Sequence, residues 1–94
     1  MPNANDHGLL SPTYKQTGSS VLVKTGVGAL RGIFVSSSDQ ATIKLWDNTS
    51  AATTILVNTF TAAAATYYPL ADVKFGIGLY ITITGTLECT VFYF

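Results

Sequence analysis

The sequence predicts an all-β fold: an antiparallel β-sandwich of about eight strands, which a jelly-roll path would satisfy, behind an irregular N-terminal arm. Three observations predict it. Short runs rich in Val, Ile, Thr, Tyr and Phe follow one another from Ser20 onward, the residue types that suit a pleated, half-buried surface. Turn sequences (TGVG, SSSDQ, DNTSAA, FGIG and the lone Gly85) separate those runs at the short, even spacing of sandwiches and barrels. Within the clearest runs, apolar and polar residues alternate with period two.

Residues 1–19, MPNANDHGLLSPTYKQTGS, show no apolar period and hold two of the three prolines, so they read as an extended arm. The sandwich domain is 20–94. Its candidate strands are SVLVKT (20–25), ALRGIFVS (29–36), ATIKLWD (41–47), TTILVNTFT (53–61), TYYPL (66–70), DVKF (72–75), GLYITIT (78–84) and LECTVFYF (87–94). In GLYITIT, Leu79, Ile81 and Ile83 share one face against Tyr80, Thr82 and Thr84. In ATIKLWD, Ile43 and Leu45 oppose Thr42, Lys44 and Trp46. In the last strand Leu87, Cys89, Val91 and Tyr93 oppose Glu88, Thr90, Phe92 and Phe94. That second face is unusually aromatic, and it calls for a cover: the arm or another chain. TAAAAT (61–66) is rich in the best helix former but too short to hold a helix alone, and reads as a loop.

Ninety-four residues make a single domain. Only 11% of residues are charged, and five basic and five acidic side chains cancel. Soluble domains carry roughly 25%, and near-zero net charge favours association. Lys15, Lys24, Arg31, Lys44 and Lys74 are scattered rather than clustered, which argues against a nucleic-acid partner. No apolar run approaches the length of a membrane span, and MPNANDHGLL lacks the basic head and apolar stretch of a signal peptide. A single cysteine forms no internal disulfide. Synthesis in a cytoplasm without export is the expectation, with no membrane partner.

No catalytic, cofactor or metal constellation emerges. His7, the one histidine, stands in the arm; with only a distant Cys89 it falls short of the three or four ligands a metal needs. Cys89 lies with Leu87 and Val91 on the expected core face and reads as a small hydrophobe. Asp39 and Asp47 fall in turn sequences, where aspartate bonds nearby backbone. Gly26 and Gly28 fit a hairpin turn, and TGVGALRG lacks the Gly-Lys-Ser/Thr ending of a phosphate loop. The expectation is a protein that is not an enzyme. Aromatics carry the signal instead: Trp46, Tyr67, Tyr68, Tyr80, Phe92, Tyr93 and Phe94 are many for this length. Outward aromatics on a sandwich suit a protein interface, where Tyr, Trp and Phe are enriched, or a platform for sugar rings; burial on both faces within the monomer is the third reading.

Laid out in this way, TGVGALRGIFVSSSDQATIKLWDNTSAATTILVNTF (25–60) followed by GIGLYITITGTLECTVFYF (76–94) resembles the small β-sandwich virion proteins of tailed bacteriophages, of capsid decoration (cement) or fibre type. The resemblance covers about three-quarters of the chain. It implies a non-enzymatic structural protein on the capsid surface of the virion. Its partners would be the major capsid protein and copies of itself, a trimer being a form such subunits often take. A head- or tail-fibre module is the alternative in the same class, and a carbohydrate-binding sandwich the alternative outside it. The expected contact residues are Leu9, Leu10 and Tyr14 in the arm, with Trp46, Tyr80, Phe92 and Phe94 on the sandwich.

Overall fold

The computed structural model describes residues 13–94, and Leu9, Leu10 and His7 lie outside the described residues. Eight strands follow in chain order: β1 (Thr13–Thr17), β2 (Val21–Thr25), β3 (Gly28–Ser38), β4 (Thr42–Trp46), β5 (Ile55–Thr61), β6 (Thr66–Phe75), β7 (Gly78–Thr84) and β8 (Leu87–Tyr93). They build two four-stranded sheets of order β1-β8-β3-β6 and β2-β7-β4-β5. Every pairing is antiparallel, and β1 meets β8, β2 meets β7, β3 meets β6 and β4 meets β5. This nesting is what a long hairpin acquires when it is wrapped over itself, and it is the jelly-roll arrangement.

Period two decides which side chains meet between the sheets. Leu30, Ile33 and Val35 of β3, Ile43 and Leu45 of β4, Leu79 and Ile81 of β7, and Leu87, Cys89 and Val91 of β8 are all buried, with Phe75 closing one end. No polar side chain is buried among the described residues, so the core is held by apolar burial alone, about 25 cal/mol for each Å² removed from water. Burial pushes the Cys89 thiol up to about 11, with the neighbouring Glu88 carboxylate adding to the effect, so the thiol stays protonated and packs as a small apolar group.

The eight strands differ from the expected eight at two places. Thr13–Thr17, assigned to the arm by its polar composition, is strand β1 and pairs in unbroken register with β8. The runs 66–70 and 72–75 are one strand, β6, bent where Ala71 and Asp72 both take φ of 54° opposite a register shift between Leu30 and Gly32. Residues other than glycine rarely adopt that region, so no sequence signal marks the bend. TAAAAT is a loop, as its length predicts, and Ala62 anchors it in the core.

The turns divide into those that glycine conformation explains and one that is built from afar. Gly26 has φ of +94°, a glycine conformation, but the turn it serves carries the chain from β2 in one sheet to β3 in the other rather than closing the hairpin its sequence suggested. Gly28 instead is needed for close approach, since a Cβ there would collide with the Phe94 carbonyl oxygen and the Phe75 ring. Asp47 does not bond its own loop two residues on, as its turn sequence suggested. Its carboxylate accepts N–H bonds from Gly76 (3.0 Å), Ile77 (2.8 Å) and, longer, Gly78 (3.4 Å) in the β6–β7 turn. Desolvation acts to raise its pKa, but these bonds together outweigh it and hold the carboxyl below its ordinary value. A depressed folded pKa contributes stability above the unfolded value, near 3.8, that is lost as pH falls through the folded one. Asp47→Ala is therefore expected to lower stability by about 1–2 kcal/mol, the solvent-screened cost of unpartnered amides. Urea unfolding should show that deficit at neutral pH and a smaller one at pH 3.

Candidate interaction faces

Each sheet turns its second face outward, and on each face an apolar row crosses all four strands. On the β1-β8-β3-β6 sheet, register places Tyr14 opposite Phe92, Phe92 opposite Gly32, and Gly32 opposite Pro69. Phe34 and Tyr67, paired with each other one step along, widen this row. Tyr14 is 66% exposed, Tyr67 44% and Phe34 37%. On the other sheet Leu22 faces Tyr80, Tyr80 faces Trp46, and Trp46 faces Ile55, with both ends of the row exposed.

The two rows differ in their construction. Trp46 is locked: its indole Nε1 donates to Thr82 Oγ1 at 3.2 Å, and that hydroxyl donates to the Lys44 carbonyl at 3.1 Å. The Lys44 ammonium lies 4.5 Å from the centre of the indole, a cation–π contact that covers one ring face. The first sheet is open instead. A shallow depression of about 410 Å³ is lined by Arg31, Phe34, Tyr67 and Phe92, with Tyr67 edge-on to Phe92 at 6.2 Å between ring centres and its phenol lying over Gly32. At one end the Arg31 guanidinium makes a two-pronged contact to Asp72, Nε to Oδ1 at 3.0 Å and Nη2 to Oδ2 at 3.1 Å, and it lies 4.7 Å from the centre of the Phe94 ring. The donated bonds hold the Asp72 carboxyl below its ordinary pKa. Both partners are exposed, so the pair fixes geometry more than it adds stability.

Edges are blocked while faces are open. Lys15 of β1 shares the inward side with Val91, its register partner, an inward-pointing charge of the sort that deters strand addition. β2 is bulged between Leu22 and Lys24, β6 carries Pro69 and its bend, and the uncharged β5 has two register irregularities against β4. A second groove, about 370 Å³, opens between β5 and β6 and is lined by Val57, Phe60, Tyr68 and Leu70 among others. There Phe60 and Tyr68 pack at 4.9 Å and the Tyr68 hydroxyl accepts the Ala63 N–H, which ties the two sheets together along that side.

Of the contact residues expected from sequence, Tyr14 and Phe92 are direct cross-strand neighbours, as are Trp46 and Tyr80. The two pairs lie on opposite faces of the sandwich, so the set forms two patches rather than one. Phe94 packs beneath Arg31 at the rim of the first. Phe34, Tyr67 and Arg31 complete that patch; Tyr67 stood among the aromatics that carry the signal, but none of the three was among the expected contact residues. Phe34 sits in the run Ile33-Phe34-Val35, which reads as buried on both sides. Among the described residues no group of three or more His, Cys, Asp or Glu side chains gathers. No protein-family model matches the chain, and neither a curated protein nor a solved structure matches it.

Proposed function

We propose that this chain is a structural protein of a tailed-bacteriophage virion without enzymatic activity, a capsid decoration subunit that braces the major capsid protein shell. The observation that carries the reading is the pair of apolar rows, one across each outer face, on a sandwich with guarded edges and few charges. Binding energy in such a subunit comes from apolar burial across broad faces, and charge-poor surfaces lower the cost of removing water from them. A sugar platform is less well supported: the ring face of Trp46 that a sugar would stack on is taken by Lys44.

The test is co-sedimentation of the purified chain with capsids of the phage whose genome encodes it. Saturable binding that withstands added mono- and disaccharides is expected. Failure to bind capsids, together with sugar-dependent quenching of the Trp46 fluorescence, would overturn the reading in favour of a lectin.

A further inference from the structure

We propose that the outer face of the β1-β8-β3-β6 sheet is a docking surface for the chain's own N-terminal segment, with Leu9 and Leu10 seated in the depression beside Phe92 and Tyr67. The proposal goes beyond the decoration reading and holds whatever the opposite face binds.

The depression selects an apolar occupant. Phe92 of β8 and Tyr67 of β6 flank it, and Phe34 forms its far rim. The Tyr67 phenol fills the space over Gly32, so aromatic surface continues across β3. Arg31 makes the remaining wall, but Asp72 accepts two bonds from its guanidinium and the Phe94 ring lies beside it. With that charge already matched, the depression has nothing to offer an anion, and an aliphatic side chain gains most from it. Residues 1–12 lie outside the described residues, and they hold one aliphatic pair, Leu9 and Leu10 in NDHGLLSP.

The place where the chain enters the sheet decides between surfaces. β1 starts at Thr13, opposite Tyr93 where β8 ends, and Pro12 brings no N–H to lengthen that ladder. Ser11-Pro12 is turn chemistry, and Gly8, on the other side of the leucines, admits a second change of direction. Tyr14 already turns outward onto this face, 66% exposed and opposite Phe92. From Tyr14, four residues of chain carry Leu10 at most about 14 Å. Neighbouring strands lie about 4.8 Å apart, so Phe92 is one spacing from β1 and Tyr67 three. The leucine pair therefore reaches the whole width of the depression. The other two apolar surfaces described above are too far: the groove beside Phe60 and Tyr68 lies past β6, and the Trp46 row faces away behind a second sheet about 10 Å further off. A second copy of the chain is the competing source of the leucines. A tether of a few residues holds them at an effective concentration of about millimolar against their own face, well above that of another copy in dilute solution.

The experiment is nuclear magnetic resonance on the full, isotope-labelled chain. Nuclear Overhauser cross-peaks are expected from the Leu9 and Leu10 methyl groups to the rings of Phe92 and Tyr67, with the methyl signals shifted upfield by ring currents. Leu9→Ser combined with Leu10→Ser leaves every core residue in place; it should move the ring resonances of Phe92 and Tyr67 and leave those of Phe60 and Trp46 unchanged. Methyl signals at the positions of an unstructured peptide would overturn the proposal. Cross-peaks to Phe60, Tyr68 or Trp46 instead would do the same, as would Phe92 and Tyr67 resonances that ignore the double substitution. Cross-peaks arising between labelled and unlabelled copies in an equal mixture would also overturn it, since they identify a second copy as the occupant.

Discussion

A chain ending at Glu88 is expected not to fold. The segment it lacks is most of β8, and β8 is an interior strand, hydrogen-bonded to β1 on one side and β3 on the other. Truncation strips both ladders at once and leaves β1 without any partner. It also deletes Val91 and Cys89, which are 0% and 3% exposed, and opens the core over Leu30, Ile33 and Val35. Phe94 goes as well, and with it the N–H bond of 2.8 Å to the Ala29 carbonyl. Burying a side chain such as Val contributes about 1.5–3 kcal/mol, and a domain of this size has about 5–15 kcal/mol in all. Loss of a central strand exceeds that margin. Far-ultraviolet circular dichroism and a urea titration would decide: a cooperative transition from the truncated chain would overturn the placement of β8 inside its sheet.

The same strand shows what a sequence can and cannot declare. Its alternation was readable, and Leu87, Cys89 and Val91 are buried as expected. Its neighbours were not, because period two fixes the parity of side chains within a strand and says nothing about which strand lies alongside. The polar run Tyr14-Lys15-Gln16 lacks any apolar pattern, since an edge strand covering one side of β8 buries little of itself. It is a strand because β8 offers it a row of unpaired N–H and C=O groups. Ala71 and Asp72 raise the reverse difficulty: their left-handed backbone is set by the bulge across from Leu30 and Gly32, a tertiary demand that overrides local preference.

For the two outer faces, the outward position of the aromatics was legible and their grouping was not. Trp46 and Tyr80 fall on the polar parity of their strands, as do Phe92 and Phe94, so aromatics at polar positions marked outward surface correctly. Assigning the two pairs to one patch or two needs the order of strands in each sheet. That order follows from the nesting of β1 with β8 and β2 with β7, contacts between residues far apart in the chain. Gly32 carries no side chain, yet it decides the shape of the open face; its role is visible only when Tyr67 is seen lying over it.

Two phenylalanines separate the core from the face. Phe75→Ala is expected to cost about 3–5 kcal/mol, the usual penalty for emptying a buried aromatic site. Phe75 is 1% exposed, and its ring lies only 2.7 Å from the place a Cβ on Gly28 would occupy, so the cavity adjoins a backbone that the β3–β6 ladder holds in position and has little freedom to collapse. At about 4–8 °C for each kcal/mol in a domain of this size, the thermal midpoint should fall by at least about 12 °C. Phe34→Ala removes the same ring from a site 37% exposed and should move the midpoint far less, because much of that ring is already in water and its loss leaves no closed cavity. Measured side by side in thermal melts, the first substitution should lower the midpoint far more than the second. Equal thermal losses from both would place Phe34 in the core of the monomer and remove it from the open face.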